Sequence, residues 1–288
     1  MDTRSIATEF NKANLSANLR DMRPLEGGSH PAFWVETDDI QAFIKFPKVD
    51  DLADALSAEC DGLKALSEAT AGYRVPKVLG VTDKALILEY IAPGRRNEET
   101  DFAAGAQLAK FHLANTTAQP GWHRNNWIGA LPQQNEHASN TVEHYLMHRI
   151  APMVERAHKL LGRERAKQVL DLSERFAVDV RPEPPVLLHG DFWSGNFWVD
   201  ADGFPVWTDP AVYFGHREID LAMSLLFGGF RDAFYDAYAG IHPFDEGWEN
   251  RVHFWQLYPL LVHVVLFGTG YLAELDHRLS GLQRVLNR

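Results

Sequence analysis

Cysteine is nearly missing from this chain. Its 288 residues include one, Cys60, so no intrachain disulfide can form. With no secretory signal pattern at the N-terminus, this points to a reducing cytoplasm. Long apolar runs are missing too. The most apolar late stretch, residues 252–272, is interrupted by His253, Gln256, Pro259 and His263. It reads as a buried helix, which excludes a membrane role. Positive charge is scarce: 28 Lys and Arg stand against 39 Asp and Glu, a net charge of −11. General nucleic-acid binding depends on Lys and Arg contacts to phosphate and is excluded on that ground. There are no internal repeats and no low-complexity tracts. The 13 histidines show no zinc-ligand spacing, and His144 and His148, four apart, lack the H-E-x-x-H context. What remains is a globular composition, 45% hydrophobic and 23% charged. It is ample for a sizeable core in one large domain or two lobes.

The chemistry concentrates in residues 187–230, LLHGDFWSGNFWVDADGFPVWTDPAVYFGHREIDLAMSLLFGGF. A short apolar run, Val186–Leu188, ends in His189-Gly190-Asp191, and Asn196 follows five residues after Asp191. Two β-like runs, 197–199 and 206–208, flank Asp200-Ala201-Asp202-Gly203, a plausible hairpin turn, and Asp209-Pro210 closes the second run. The order is strand, catalytic-type loop, hairpin, acidic loop, and phosphoryl transfer has uses for it. An acceptor hydroxyl needs a carboxylate to orient it and take its proton, a role for Asp191. A Mg²⁺-nucleotide needs hard oxygen ligands, a role for Asn196 and Asp209. Protein kinases divide the work this way.

The upstream residues supply matching parts. Gly27-Gly28-Ser29, before the β-like run 32–35, permit a backbone that closes over ATP phosphates. By themselves two glycines read as a hairpin turn, and only the downstream residues reverse that. Lys45 lies in a second β-prone apolar run, 42–46, where a lysine is costly to bury unless paired. The helical segment 50–69, with Asp50 or Asp51 as N-cap, aligns Leu52, Leu56, Leu63 and Leu66. Glu59 falls on that apolar face and wants a cation, for which Lys45 is the natural candidate. Two strands follow, 78–81 and 85–90, and the second runs into Glu89-Tyr90-Ile91. Position makes this a hinge whose backbone would meet an adenine edge, although an ordinary strand end fits equally. Beyond it, helices are expected at 101–114, 141–161, 163–180, 219–226, 231–239 and 249–273. Residues 115–132 form a loop, either lining an acceptor site or packed at the surface.

HGDFWSGN, DPAVYFGHREIDLAM and FGGF resemble the fructosamine kinase (ketoamine 3-kinase) family, within the wider aminoglycoside phosphotransferase and choline kinase group. The H-G-D-x-x-x-x-N element marks only the wider group. Trp193-Ser194-Gly195, Asp209-Pro210-Ala211 and Gly215-His216 with Glu218, Leu221 and Ala222 are more specific, and the resemblance runs over nearly the whole chain. It implies an α+β, two-lobed, protein-kinase-like fold: a small antiparallel sheet with one helix in residues 1–91, a hinge at about 89–94, and a mainly helical lobe in 95–288. It implies ATP and Mg²⁺ as cofactors and phosphorylation of the sugar 3-hydroxyl of ketoamines, free or protein-bound. The product then releases its amine, a repair of glycation. By position, Trp193 is a candidate to stack on the sugar or to shape the acceptor site, and His216 to touch substrate or product phosphate or to serve at the surface. His189 and Asp220 would brace the catalytic loop without touching substrate. Some relatives carry a redox-active cysteine in the glycine loop; Ser29 and His30 stand here instead, so that regulation does not carry over. A kinase of choline, an aminoglycoside or another small alcohol is the alternative. A non-catalytic nucleotide-binding regulator is disfavoured, since Lys45, Glu59, Asp191, Asn196 and Asp209 are all present. The oligomeric state is not set by the sequence, with a monomer favoured.

Overall fold

The computed structural model describes residues 2–25, 30–46 and 53–288. The chain divides into two compact units: residues 1–96 with 197–210, and residues 97–196 with 211–288.

The first unit is built on an antiparallel sheet. Its strands are β1 (Leu19–Leu25), β2 (Ala32–Thr37), β3 (Gln41–Lys45), β4 (Val78–Val81) and β5 (Leu86–Glu89), in the spatial order β1-β2-β3-β5-β4. The Thr37 hydroxyl shapes the tight β2–β3 turn by accepting from the amides of Asp39 and Ile40 at 3.2 and 3.1 Å, a local side-chain bond that favours turns. The two-residue side-chain period then sends Val35, Ala42 and Ile44 into a core with Ile6 and Phe10 of α1 (Thr3–Lys12). Asp2 caps α1 through the Ser5 amide at 2.9 Å. Helix α2 (Ala53–Glu68) buries Leu56, Leu63 and Leu66 along the expected stripe. Leu52, the expected caps Asp50 and Asp51, and the Gly27-Gly28-Ser29 loop lie outside the described residues.

The second unit is mainly helical. Its elements are α3 (Glu98–Ala114), a small hairpin of β6 (Asn126–Ile128) and β7 (Leu131–Gln133), α4 (Thr141–Tyr145), α5 (Ala151–Ala177), β8 (Val186–Leu188), α6 (Glu218–Leu226), α7 (Asp232–Ile241), α8 (Trp248–Trp255), α9 (Leu257–Phe267) and α10 (Leu272–Leu286). A π-helical turn, Leu146–Ile150, joins α4 to α5. Strand β8 pairs antiparallel with Tyr213–Gly215, a strand the sequence pattern did not reveal. The β6–β7 hairpin falls almost wholly within residues 115–132, expected to be loop, and ends one residue beyond them. The expected break between helices at 161 and 163 is a kink at Gly162, φ 74°. The single helix expected over 249–273 is broken twice. At Gln256 the side-chain amide donates to the Ala222 carbonyl at 2.7 Å, and at Gly268 φ reaches 87°. Among the described residues, no helix is long and apolar enough to cross a membrane.

A hairpin of β9 (Phe197–Val199) and β10 (Pro205–Trp207) belongs with the first unit. The sequence boundary had placed it with residues 95–288. The reason is aromatic packing and edge hydrogen bonding. Trp207 is fully buried against Tyr73, ring centres 5.3 Å apart. Its amide donates to the Arg74 carbonyl at 3.0 Å, while the Arg74 guanidinium pairs with Asp200. The Gly94 amide donates to the Val199 carbonyl at 2.7 Å. A Cβ at Gly94 would stand 2.0 Å from the Asp200 carbonyl oxygen, so no other residue allows this approach.

Two predictions follow from the second unit. A Cβ on Gly105 of α3 would stand 1.9 Å from the Phe234 carbonyl oxygen of α7. Gly105→Ala should therefore force the helices apart and cost about 1–3 kcal/mol, seen as a lower urea midpoint at unchanged slope. Burial pushes the buried imidazoles of His144 and His216 down to about 2 and about 4. Both stay neutral where the unfolded chain takes up a proton, so the stability they carry is complete above the ordinary value of 6.5 and drains away as pH falls toward the folded values. Each should add up to about 1.4 kcal/mol of lost stability per pH unit below 6.5, measured as urea midpoints from pH 7.5 to 4.5. A flat profile across that window would overturn the assignment.

Candidate active site

In the first unit, β3 carries Lys45 inward and α2 carries Glu59 toward it. The Lys45 ammonium, on a side chain 5% exposed, lies 2.9 Å from Glu59 Oε2 and 3.0 Å from Asp209 Oδ1. Asp209 follows β10, so strand, helix and hairpin meet on one cation. A lone ammonium could not stay charged at this depth. Burial alone would lower its pKa, but the two carboxylates outweigh that and hold it above its ordinary value. Burial pushes Glu59 up to about 7, opposed by Lys45 and reinforced by the Asp209 charge. Burial acts on Asp209 in the same sense, yet Lys45 outweighs it and keeps that carboxyl below its ordinary value. The more open carboxylate, Asp209 at 30% exposure, is thus held below its ordinary range while Glu59 is raised. Asp209 also adopts φ 54°, a left-handed conformation a β-carbon disfavours, of the kind found where position matters more than local comfort.

The Glu89–Ile91 segment closes β5. The Glu89 amide donates to the Lys77 carbonyl at 2.8 Å and the Tyr90 amide to the Gln41 carbonyl at 3.4 Å. Tyr90 packs edge-on against Trp34, and Ile91 is buried. The Glu89 amide is therefore committed to the sheet.

In the second unit, β8 delivers His189-Gly190-Asp191. The fully buried Asp220 carboxylate of α6 accepts from the amides of His189 and Gly190 at 2.8 and 2.9 Å. The Ala211 amide donates to the His189 carbonyl at 2.8 Å. Gly190 has φ 81°, and a Cβ there would stand 2.1 Å from the Ala211 carbonyl oxygen. A turn of 3₁₀ helix, Ser194–Asn196, folds Asn196 back so that its Nδ2 donates to the Asp191 carbonyl at 2.9 Å and to Asp191 Oδ2 at 3.0 Å. Asp220 thus reaches this loop through backbone amides. Trp193 is half-buried, covers Gly195, and meets Phe227 edge-on at 5.6 Å.

His216 requires a correction. It is 2% exposed, stacked on Trp255 at 4.8 Å, and accepts through Nδ1 from the Glu218 amide at 3.2 Å. A ring packed this way is not available to substrate. The Gly215-His216-x-Glu218 element is a structural clasp: Glu218 accepts from Arg251 at 2.7–3.1 Å and from Trp255 Nε1 at 2.8 Å.

Sequence reasoning missed a buried polar relay. Arg149, on the π-helical turn, is fully buried with its guanidinium 3.9 Å above the Tyr213 ring. It donates to the Gln134 carbonyl and, at 2.7 Å, to Asn135 Oδ1. Asn135 Nδ2 donates to Asn126 Oδ1 at 2.8 Å, and Asn126 Nδ2 to the Val212 carbonyl at 2.7 Å. Gln133 donates to Asn126 Oδ1 at 2.8 Å and to the Ala211 carbonyl at 3.3 Å, and accepts from Tyr258 at 2.8 Å. Arginine can only donate, so it orients every amide in the chain and holds the carbonyls of Ala211 and Val212. Asn125-Asn126 and Gln133 in an apparent loop were the only signal, and a weak one.

Could these residues hold Mg²⁺? Among the described residues, no group of three or more His, Cys, Asp or Glu converges. Mg²⁺ takes one or two protein oxygens and completes its shell with phosphates and water. Asp209 offers a carboxylate of hard oxygens. Asn196, with Nδ2 spent on Asp191, has Oδ1 left to offer.

The family model for fructosamine kinase matches residues 2–286. A protein of Enterococcus faecium named probable ketoamine kinase is 38% identical, over 89% of this chain and 93% of its own. A chloroplastic protein-ribulosamine 3-kinase of Oryza sativa subsp. indica is 36% identical over 74% of this chain and 64% of its own. The crystal structure of a Thermobifida fusca protein assigned as a fructosamine-3-kinase superposes with a TM-score of 0.83 at 33% identity, over 92% and 94% of the two chains. An aminoglycoside phosphotransferase crystallised with ADP and hygromycin B shares the fold, with a TM-score of 0.66 at 14% identity over 96% of each chain. The chain belongs to the fructosamine kinase family.

Proposed function

We infer that this protein is an ATP-dependent kinase that phosphorylates the sugar 3-hydroxyl of ketoamines. The phosphorylated adduct is unstable and releases the amine, so the activity serves deglycation. The observation that carries the kinase reading is the buried Lys45 ammonium clasped by Glu59 and Asp209. The ketoamine class rests on family membership.

The roles follow from the contacts. Lys45 is charged at any physiological pH and has a third N–H to give. It holds the α- and β-phosphates of ATP, while Glu59 keeps it from swinging away. Asp191 orients the acceptor hydroxyl and takes its proton. Asn196 fixes the Asp191 carboxylate through Nδ2 and would offer Oδ1 to Mg²⁺, for which the Asp209 carboxylate is likewise a candidate ligand. When bound, the metal neutralises charge on the transferring phosphoryl group. The amides of His189 and Gly190 bind Asp220 and so cannot drift. Positioning and preorganised charge, rather than covalent chemistry, supply most of the rate. Trp193, two residues after the base, offers an indole face to the sugar.

Two variants test these roles on ribulose-lysine and fructose-lysine with Mg²⁺-ATP, following phosphorylated adduct and released lysine by mass spectrometry. Asp191→Asn should lower turnover by about 10²–10⁴ with little change in nucleotide affinity; turnover like that of the unaltered protein rules out the base assignment. Lys45→Met should lower turnover by roughly 10²–10³ and weaken ATP binding, leaving ketoamine affinity intact. If ketoamine affinity falls instead, Lys45 is not a phosphate ligand.

A further inference from the structure

Five aromatic rings run outward from the catalytic loop. Trp193 meets Phe227 at 5.6 Å between ring centres. Phe227 meets His263 at 4.7 Å. His263 meets Tyr271 at 4.9 Å and Phe267 at 5.4 Å. The rings come from four separate places: the loop after Asp191, the loop after α6, helix α9, and the 3₁₀ turn Thr269–Tyr271. Such convergence is usual in a core, but this cluster is not in the core. Phe227 is 38% exposed and Phe267 64%, while Trp193, His263 and Tyr271 are half-buried.

The surroundings keep the row in place and open. A Cβ on Gly229 would stand 2.3 Å from Ser194 Oγ, so the loop bearing Phe227 rests directly on the catalytic loop. Beside the outer rings, a Cβ on Gly268 or Gly270 would meet nothing within 4 Å. His263 Nδ1 bonds the Pro259 carbonyl at 2.7 Å, which makes Nδ1–H the donor and leaves Nε2 an acceptor. Burial holds that imidazole below its ordinary pKa, so the ring adds no positive charge to the row. Exposed aromatic surface next to a reactive carboxylate calls for an occupant.

We propose that Phe227, His263 and Tyr271, continuing from Trp193, form an aromatic ledge that binds the protonated amine of the ketoamine. This rests on the ketoamine kinase reading above. In a ketoamine the nitrogen lies only three bonds from the carbon bearing the reactive hydroxyl. With the hydroxyl at Asp191 and the sugar against Trp193, the nitrogen and its substituent reach the next rings. A secondary alkylamine is cationic at neutral pH, and cations are attracted to ring faces. The open outer end beside Gly268 and Gly270 gives room for a lysine side chain and the peptide that carries it.

The test is equilibrium binding by calorimetry to the full-length protein, with turnover measured in parallel. The probes are ribulose-lysine and the same adduct acetylated on the ketoamine nitrogen, which is uncharged. The unaltered protein should prefer the amine about tenfold. Phe227→Leu and Tyr271→Leu keep apolar bulk at partly exposed positions but remove the ring faces. Each should reduce that preference to about threefold or less, and together they should abolish it. An unchanged preference in both variants, equal losses on both probes, or no preference in the unaltered protein overturns the ledge. Binding with the expected preference but without phosphorylation would keep the ledge and refute the kinase reading, so the two ideas fail separately.

Discussion

One buried ammonium organises the first unit. Lys45 cannot be desolvated as a cation without compensation, and its two partners come from distant parts of the chain. Glu59 arrives on α2, and Asp209 arrives at the end of a hairpin that begins at Phe197. The ammonium therefore ties sheet, helix and hairpin to one point. The hairpin is also tied by Trp207 against Tyr73 and by the close approach at Gly94. The three ionisable groups are unequal. The deeper carboxylate, Glu59, is raised, and the more open one, Asp209, is held below its ordinary range.

The second unit fixes the Asp191 carboxylate by different means. Asp191 sits on a loop whose amides are bound by Asp220, whose carbonyl and carboxylate accept from Asn196, and whose glycine touches Ala211. Ala211 and its neighbour are held in turn by Gln133 and Asn126, with Arg149 setting the direction of the amides. A donor-only group at the end of a chain of reversible amides removes its ambiguity. The buried arginine has rings and carbonyls for company, which suits a role in orienting neighbours.

Much of the site was legible from spacing. The His-Gly-Asp run, the asparagine five residues on and the Asp-Pro after a hairpin are local, and local chemistry demands them. Lys45 and Glu59 were legible as a conflict: a charge in an apolar strand and another on an apolar helix stripe each needed a partner. His216 was misread because a histidine beside a reactive segment looks the same whether it faces a ligand or a tryptophan. Burial against Trp255 decided it. The relay from Arg149 was invisible because its members are ordinary polar residues scattered over residues 126–258, related only by the fold.

By itself the sequence determined four of the five strands of the first unit's sheet, the helix after the third, and the helical character of the rest. Those depend on periodicity, turn residues and short spacings, all properties of neighbours along the chain. Only the tertiary structure decided that residues 197–210 join the first unit, that Lys45 has two carboxylate partners, and that the histidine of the Gly-His-x-Glu element is packing. It alone assembled an exposed row of rings from Trp193, Phe227, His263 and Tyr271. Each of these depends on burial and on contacts between residues far apart in sequence, and burial is a property of the folded whole.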